Sequence, residues 1–194
     1  TATGQESQCE MMKKHYAEGQ ALYCEDPNWR AVTIPYQGSR VGQGVQATVV
    51  MRSQRGMPWT GLLSPGAWEK IYRESKTMEG TLEMPKLHLD SGTIPLAGAL
   101  MECGVSDMFD GRRADITGML RDDRGNPPYV SHVLHSVSLD VDESGTEFAA
   151  TTAVMMKNEM CASTTTFNLK ADAPFLFVVH YGWTPLLIAG ISSP

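Results

Sequence analysis

The sequence predicts an α+β fold, in which strands outnumber helices and the helices do not alternate with strands. Two segments rich in β-branched and apolar residues, Val32–Pro35 and Val45–Met51, flank turn sequence that contains Gly38 and Gly42. A third segment, residues 133–141, alternates apolar and polar side chains. Helix signals occur in two places, so the helices cannot cover each strand in turn.

The first helix is predicted where Ser64 precedes Pro65, because serine is a favoured N-cap and proline fits the first helical position. We expect this helix to end before a turn at Gly80. Strands are predicted on either side of it, at residues 8–16 and at Thr81–Leu89.

A second helix is predicted over Pro95–Cys103, closed by Gly104 as a C-terminal glycine. Towards the end of the chain, two short apolar runs are predicted to be fully buried strands. They are Phe175–Val179 and Leu186–Ala189, joined by a turn at residues 181–183.

Residues 130–160 carry the most informative pattern. One predicted strand face carries Val133, His135, Val137, Leu139 and Val141. After residues 143–146 the chain continues as small and β-branched residues that favour a strand but lack large core side chains. Such a segment is typical of a switch, a loop in one state and a strand in another.

The composition and charge of the chain limit the kinds of partner that we expect. The chain has 194 residues, of which 42% are hydrophobic, and a formal net charge of -6. Its Lys and Arg residues are scattered, which argues against nucleic acid as a partner. No apolar run reaches the roughly 20 residues of a membrane span, so no membrane partner is expected.

The cysteines show no metal-ligand spacing and are expected to be free thiols or small hydrophobes. They are Cys9, Cys24, Cys103 and Cys161. No N-x-S/T glycosylation signal is present. Both features favour a reducing compartment or a microbial source.

The sequence contains no enzyme signature, such as a Gly-x-Ser-x-Gly elbow, an HExxH motif or a phosphate-binding glycine loop. Asp140, Asp142 and Glu143 could form a carboxylate cluster, but alternation places the two aspartates on the polar strand face. We therefore interpret them as a solvated edge. No catalytic residue, cofactor or metal is predicted.

Five motifs, in order along the chain, resemble those of the serpin family of serine protease inhibitors. The run beginning at Glu143, ESGTEFAATTAV, resembles the hinge of the serpin reactive-centre loop. The other four are Met11–Lys13, Leu82–Leu87, Leu96–Met119 and Ala171–Phe177.

This resemblance implies a serpin-like α+β fold with mixed and antiparallel sheets, a few helices and an exposed reactive-centre loop. A serpin is about twice as long, so residues 1–194 are expected to form the C-terminal half of a serpin domain, without its N-terminal half. The loop is expected at residues 143–166. The implied activity is inhibition of a serine protease, which cleaves the loop and is trapped as the freed arm inserts into a sheet.

Rapid insertion requires a pliable hinge. The resemblance assigns that hinge to Glu143, Gly145, Thr146, Phe148, Ala149 and Ala150. Glycine gives backbone freedom, and small side chains enter a sheet interior without overpacking it.

Phe148 departs from the family pattern, in which alanine is usual, and lies on the same alternating face as Thr146. An aromatic ring there is expected to slow insertion. Because of this residue, a second function stays open, that of a non-inhibitory serpin such as a carrier, storage or chaperone-like protein. An inactive truncated serpin is a further alternative.

Family spacing counted from the hinge places the scissile bond at Glu159–Met160. A glutamate there predicts a protease with a basic specificity pocket. Lys157 would suit a trypsin-like target, and Met156 or Met160 a chymotrypsin- or elastase-like one.

The resemblance also assigns a role to His135, at the position whose histidine hydrogen-bonds in the serpin shutter. From the residues alone, a buried histidine satisfied by a hydrogen bond is the ordinary reading. The family further implies an extracellular location, with an intracellular one left open.

Overall fold

The computed structural model describes residues 9–36, 38–53, 64–116, 118–119, 128–142, 165–182, 184–192 and 194. The chain divides into two compact units, one formed by residues 1–86 and 141–194 and the other by residues 87–140. The strands, in chain order, are β1 (Met11–Tyr16), β2 (Leu22–Asp26), β3 (Trp29–Pro35), β4 (Val45–Arg52), β5 (Lys76–Thr77), β6 (Gly80–Pro85), β7 (Leu87–Asp90), β8 (Ile94–Pro95), β9 (Leu134–His135), β10 (Ser138–Val141), β11 (Phe167–Lys170), β12 (Phe175–Tyr181) and β13 (Thr184–Ile191).

The larger unit is built on a six-stranded sheet in the order β13-β12-β4-β3-β2-β5. Its central strands read as near-continuous apolar runs because both of their faces are buried, as in Phe177 and Val178 on β12. The strands predicted at Val32–Pro35 and Val45–Met51 are confirmed as β3 and β4, and β12 matches the buried strand predicted at Phe175–Val179.

Helix α1 (Pro65–Glu74) lies in the same unit, and it begins as predicted. The Ser64 side chain accepts a hydrogen bond from the Ala67 amide, and Pro65 takes the first helical position. The helix ends at Glu74, before Gly80 as predicted, but Gly80 itself lies in strand β6 and not in a turn. Ile71 is the residue that this helix buries.

The face shared by the sheet and α1 has an apolar half and a polar half. The apolar cluster consists of Cys24, Trp29, Ala31, Val50, Ile71, Leu176 and Val178, with Trp68 packed against it. Continuing along the same strands at a period of two, the same face carries Thr33, Thr48, Gln46 and His180, all buried.

A second sheet of the larger unit has the order β1-β6-β11. Strand β6 runs antiparallel to β1 and parallel to β11. The single strand predicted over Thr81–Leu89 is in fact two, β6 and β7. The break follows Pro85, after which the Lys86 amide donates to the carbonyl oxygen of Glu10 at 3.1 Å.

The smaller unit contains two two-stranded sheets, β7 with β10 and β8 with β9. Helix α2 (Ala97–Glu102) follows β8, and a 3-10 helix covers Asp107–Phe109. The helix predicted over Pro95–Cys103 is therefore shorter, and Pro95 belongs to β8. Gly104 follows the helix with a φ of 91°, as its role at the C-terminus predicted.

The prediction that residues 186–189 are fully buried is wrong. Among the described strands β13 lies at the edge of its sheet, and Leu186 and Ile188 on it are 61% and 50% exposed. Its turn from β12 does lie where the sequence predicted it, with Gly182 at a φ of 54°.

Three observations concern residues in the described part of the chain only. No helix there is both long and apolar enough to cross a membrane. No cluster of three or more His, Cys, Asp or Glu side chains there is arranged to hold a metal ion. Cys9, Cys24 and Cys103 have free thiols, and burial raises the pKa of the Cys24 thiol.

Candidate reactive-loop anchors

The predicted bait loop lies almost wholly outside the described residues, which stop at Asp142 and resume at Thr165. This applies to the hinge residues Glu143, Gly145, Thr146, Phe148, Ala149 and Ala150, and to the predicted scissile pair Glu159 and Met160. The structure does describe the two strands that bound the loop. They are β10, which ends at Val141, and β11, which begins at Phe167.

The strand after the loop is held firmly by backbone hydrogen bonds. The amide of Phe167 donates to the carbonyl oxygen of Glu79 at 3.0 Å, and the amide of Ala171 donates to that of Glu83 at 2.7 Å. These bonds bracket the parallel pairing of β11 with β6. Alternate side chains point inwards, so that Leu169 and Ala171 are completely buried.

The Phe167 ring joins β11 to the six-stranded sheet. It stacks on Tyr23 of β2 with a centroid separation of 5.4 Å and an interplanar angle of 6°. The Tyr23 hydroxyl donates to the Glu25 carboxylate at 2.8 Å. Burial and the neighbouring Glu25 charge raise the pKa of Tyr23. The phenol therefore stays neutral, and its hydroxyl keeps the hydrogen bond to Glu25.

Gly80 makes the close approach of β11 possible. Strand β6 carries Gly80 opposite Phe167 on one side and Tyr16 on the other. A Cβ built at Gly80 would lie closer than 3.0 Å to both the carbonyl oxygen and the ring of Phe167. Glycine is required here because of space, since a side chain would push β11 away.

The strand before the loop is held less closely. In the described part of the chain β10 pairs with β7 alone, and Ser138 and Asp140 are exposed. Two hydrogen bonds link the residue after β7 to the residue before β10, from the Ser91 amide to the Val137 carbonyl oxygen at 2.9 Å and from the Val137 amide to the Ser91 hydroxyl at 2.8 Å.

An ion pair ties β10 to β7 from the solvent side. His88 Nδ1 contacts the Asp140 carboxylate, and both side chains are exposed. The hydrogen bond and charge of Asp140 raise the pKa of His88. Asp140 is one of the aspartates predicted to form a solvated edge, and it is exposed as expected. It is also the partner of His88.

His135 does not occupy the buried face predicted for it. It belongs to β9, a two-residue strand, and is exposed, as is Leu134 beside it. The long strand predicted over residues 133–141 is interrupted at residues 136–137, although Val137, Leu139 and Val141 are less exposed than the polar residues between them. His135 pairs with Ile94, and its assignment to the shutter stays a prediction.

The sequence model of the family described as Serpin (serine protease inhibitor) matches residues 1–194. The chain belongs to the serpin family. The α+β fold with few helices that the sequence predicted is confirmed by solved serpins.

Curated relatives cover almost all of this chain. A serine proteinase inhibitor of Cavia porcellus is 28% identical over 186 residues, 94% of this chain and 42% of that protein. Leukocyte elastase inhibitor of Homo sapiens is 28% identical over 192 residues, 94% of this chain and 47% of that protein. The chain thus spans about half the length of the relatives it matches.

Among solved structures, the native thermophilic serpin Tengpin matches with a TM-score of 0.73 at 22% identity. The match covers 98% of this chain and 48% of that one. Native protease nexin-1 with heparin matches with a TM-score of 0.71 at 18% identity. At these identities the likeness establishes the fold.

The contacts that hold the strand after the predicted loop were not predicted from the sequence. Phe167, Leu169 and Ala171 alternate with polar residues, a period-two signal that could have identified β11. The steric need for Gly80 and the stack on Tyr23 depend on strands far apart in sequence, so no local pattern could have indicated them.

Proposed function

We propose that this serpin inhibits a serine protease as a suicide substrate, with residues 143–166 as the bait. The observation that supports it best is the contrast between β10 and β11, the two strands that bound the loop. Strand β11 is fixed by hydrogen bonds and a buried ring. Strand β10 carries an edge that pairs with no strand among the described residues.

The proposed reaction begins as ordinary proteolysis. The protease serine attacks the Glu159 carbonyl carbon, an ester forms, and the Glu159–Met160 peptide bond breaks. Met160 gains a new amino terminus and stays with the segment that leads to β11. Glu159 remains on the arm that leads back to β10, esterified to the protease. Water has yet to cleave that ester when the arm moves.

Insertion of the arm is the step that converts cleavage into inhibition. An unpaired strand edge offers a row of backbone groups, and an added strand satisfies them. About 14 residues from Thr146 to Glu159, at ~3.3 Å each, would carry the ester on the order of 45 Å. The attached protease is displaced and distorted before it deacylates.

The firm anchoring of β11 suits this mechanism because only one end of the loop should move. The buried Phe167 and Leu169 keep the C-terminal side of the cut in place. The freed arm then moves alone. The inhibitor is not an enzyme in this scheme, since it is consumed by a single turnover.

The target class follows from the residue at the cut. Glu159 predicts a protease whose specificity pocket is basic. A trypsin-like protease would cut after Lys157, and a chymotrypsin- or elastase-like one after Met156 or Met160. N-terminal sequencing of the released C-terminal fragment decides among them. An extracellular location stays a prediction.

The test uses the complete protein in which this chain occurs, mixed with a panel of serine proteases of these specificities. We expect an SDS-resistant complex with at least one of them. Thr146→Arg should abolish the complex while leaving cleavage intact, because a buried unpaired charge blocks insertion. Thr151→Arg is the matched control, since it lies on the opposite face of the inserted strand and should still form the complex.

Two outcomes would contradict the proposal. One is cleavage without any trapped protease and without a rise in thermal stability, which would favour the non-inhibitory serpin that Phe148 keeps open. The other is a stable complex with Thr146→Arg, which would exclude insertion as the trapping step.

A further inference from the structure

His180 is a buried histidine where helix α1 packs on the six-stranded sheet. It lies on β12 with 3% of its surface exposed, and Trp68 of the helix meets its ring edge-on at a centroid separation of 5.0 Å. The other buried polar side chains of this face are the amide of Gln46 and the hydroxyls of Thr33 and Thr48. The histidine is therefore the buried polar side chain here that can gain a charge near neutral pH.

The hydrogen bonds of the ring suit its neutral form. His180 Nδ1 is 2.8 Å from the Gly182 carbonyl oxygen, which can only accept, so Nδ1 carries the proton. Burial lowers the pKa of His180, so the ring is neutral and Nε2 is an acceptor. The Thr48 hydroxyl then donates to Nε2 at 2.8 Å, and the Thr33 hydroxyl donates to Thr48 at 2.7 Å.

A second proton on the ring would disrupt this chain of hydrogen bonds. Nε2 would become a donor and would face the Thr48 hydroxyl, which now donates to it. Thr48 would have to turn and donate to Thr33, and the Thr33 hydroxyl would need a different acceptor. Protonation therefore breaks a satisfied arrangement and also places a charge in a buried position, and both changes are unfavourable.

The described residues around the ring offer such a charge no partner. Among those that line the space beside it on β2, β3, β4 and α1, none is Asp, Glu, Lys or Arg, and the one further ionisable group is the phenol of Tyr72. In the apolar cluster of the same face, burial raises the pKa of the Cys24 thiol. The residue opposite His180 on β13 is Pro185. An imidazolium would thus lack a counter-charge in these surroundings.

Helix α1 is the element beside the ring that can give way most easily. It has ten residues, and an isolated helix of that length is marginal in water, so packing on the sheet is needed to hold it. Ile71 is its buried residue, Trp68 packs beside the apolar cluster, and Lys70 pairs with Asp26. The hydrogen bond from Lys70 lowers the pKa of Asp26, so this ion pair persists in mild acid.

We propose that His180 is an acid-sensitive release for helix α1, in which proton uptake by the buried ring lets the helix leave the sheet while the strands stay paired. In the released state the ring would take up a proton at its ordinary pKa of about 6.5. Docking is therefore favoured above that pH and is lost as the pH falls towards the lowered pKa of the docked state. The release is independent of the proposed bait loop, so its failure would leave the proposed inhibition untouched.

The test measures hydrogen exchange in the complete protein at pH ~7 and pH ~5, corrected for the intrinsic exchange rate at each pH. The opening constant of the α1 amides should rise on the order of tenfold between the two conditions, because the open form alone gains a proton. The amides of β3 and β4, in the same sheet, should keep their protection.

Two variants show whether His180 is the group that takes up the proton. His180→Gln places an amide oxygen where it can accept from Thr48 but cannot gain a charge, and should abolish the pH dependence of α1. His132→Gln makes the same change at an exposed position and should keep it. If His180→Gln does not fold, an NMR titration of the unmodified protein decides, and the His180 ring should gain its proton only as the α1 amides lose protection.

The proposal is overturned if α1 is equally protected at both pH values, if His180→Gln keeps the pH dependence, or if the ring titrates at its ordinary pKa while the helix stays docked. An equal loss of protection in β3 and β4 overturns it as well, because acid would then unfold the sheet and not release the helix.

Discussion

Gly80→Ala should detach the strand that follows the proposed bait loop. The added methyl carbon would lie closer than 3.0 Å to the Phe167 carbonyl oxygen and to its ring. A flexible side chain could turn away, but the carbonyl oxygen belongs to the backbone of β11. The strand itself must therefore move.

The size of the effect follows from that constraint. Overpacking a core by a methyl group typically destabilises a protein by about 1–3 kcal/mol, and a clash with backbone belongs at the upper end of that range. For a chain of this size, about 3 kcal/mol corresponds to a fall in Tm of about 6–12 °C. The hydrogen bond from the Phe167 amide to Glu79 should weaken with it.

Urea denaturation and hydrogen exchange at the Phe167 amide measure the two effects. Gly66→Ala is the matched control, because a Cβ at Gly66 in helix α1 meets nothing within 4 Å. Adding Phe167→Leu should restore only part of the lost stability, since the clash with the carbonyl oxygen persists. A Gly80→Ala protein as stable as the Gly66→Ala control, with normal protection at Phe167, would refute the steric argument.

Three further changes test other parts of the structure. Ser64→Ala should lower the free energy of unfolding by about 1 kcal/mol through loss of the helix cap, measured by urea denaturation, and an unchanged midpoint would contradict the assignment. Thr48→Val should destabilise by about 1–3 kcal/mol, because it leaves His180 Nε2 buried without its donor, and an equally stable variant would argue against that hydrogen bond. The raised pKa of His88 means that its ion pair with Asp140 stabilises the fold fully below pH ~6.5 and is lost as the pH rises through that raised value. An NMR titration should show the pKa of His88 returning towards its ordinary value in Asp140→Asn, and no change would rule out the pairing.

Local sequence signals were sufficient where the structure itself is local. The start of α1 was predictable because Ser64 and Pro65 act on the turn that they begin. The turn between β12 and β13 was predictable because Gly182 adopts a positive φ there. The α+β class followed from the number and spacing of such segments.

Burial and pairing were harder to predict because they depend on distant neighbours. Strand β13 is rich in apolar residues, as β12 is, yet in the described part of the chain it lies at a sheet edge, and its pairing with β12 shifts register between Val179 and His180. His135 was expected on a buried face because of its place in the alternating pattern, yet it is exposed in a strand of two residues. Strand β2 carries Cys24, Glu25 and Asp26, which is too polar a run to indicate a strand without its partner β3.

The candidate site was predictable from the sequence only in part. The loop and its hinge are predicted from the resemblance alone, and their positions lie almost wholly outside the described residues. The anchors were found from contacts between residues far apart along the chain, such as Tyr23 and Phe167.

The pairing of β12 with β4 has a further consequence for the molecule after proteolysis. Residues 175–181 lie between β4 and β13, and residues 167–170 pair with β6. The C-terminal segment therefore contributes strands to both the six-stranded and the three-stranded sheet. After a cut at Glu159, the two polypeptide fragments would therefore remain associated in one folded molecule. The C-terminal fragment, which begins at Met160, would stay in place through main-chain pairing and buried side chains. Only a denaturant would release it.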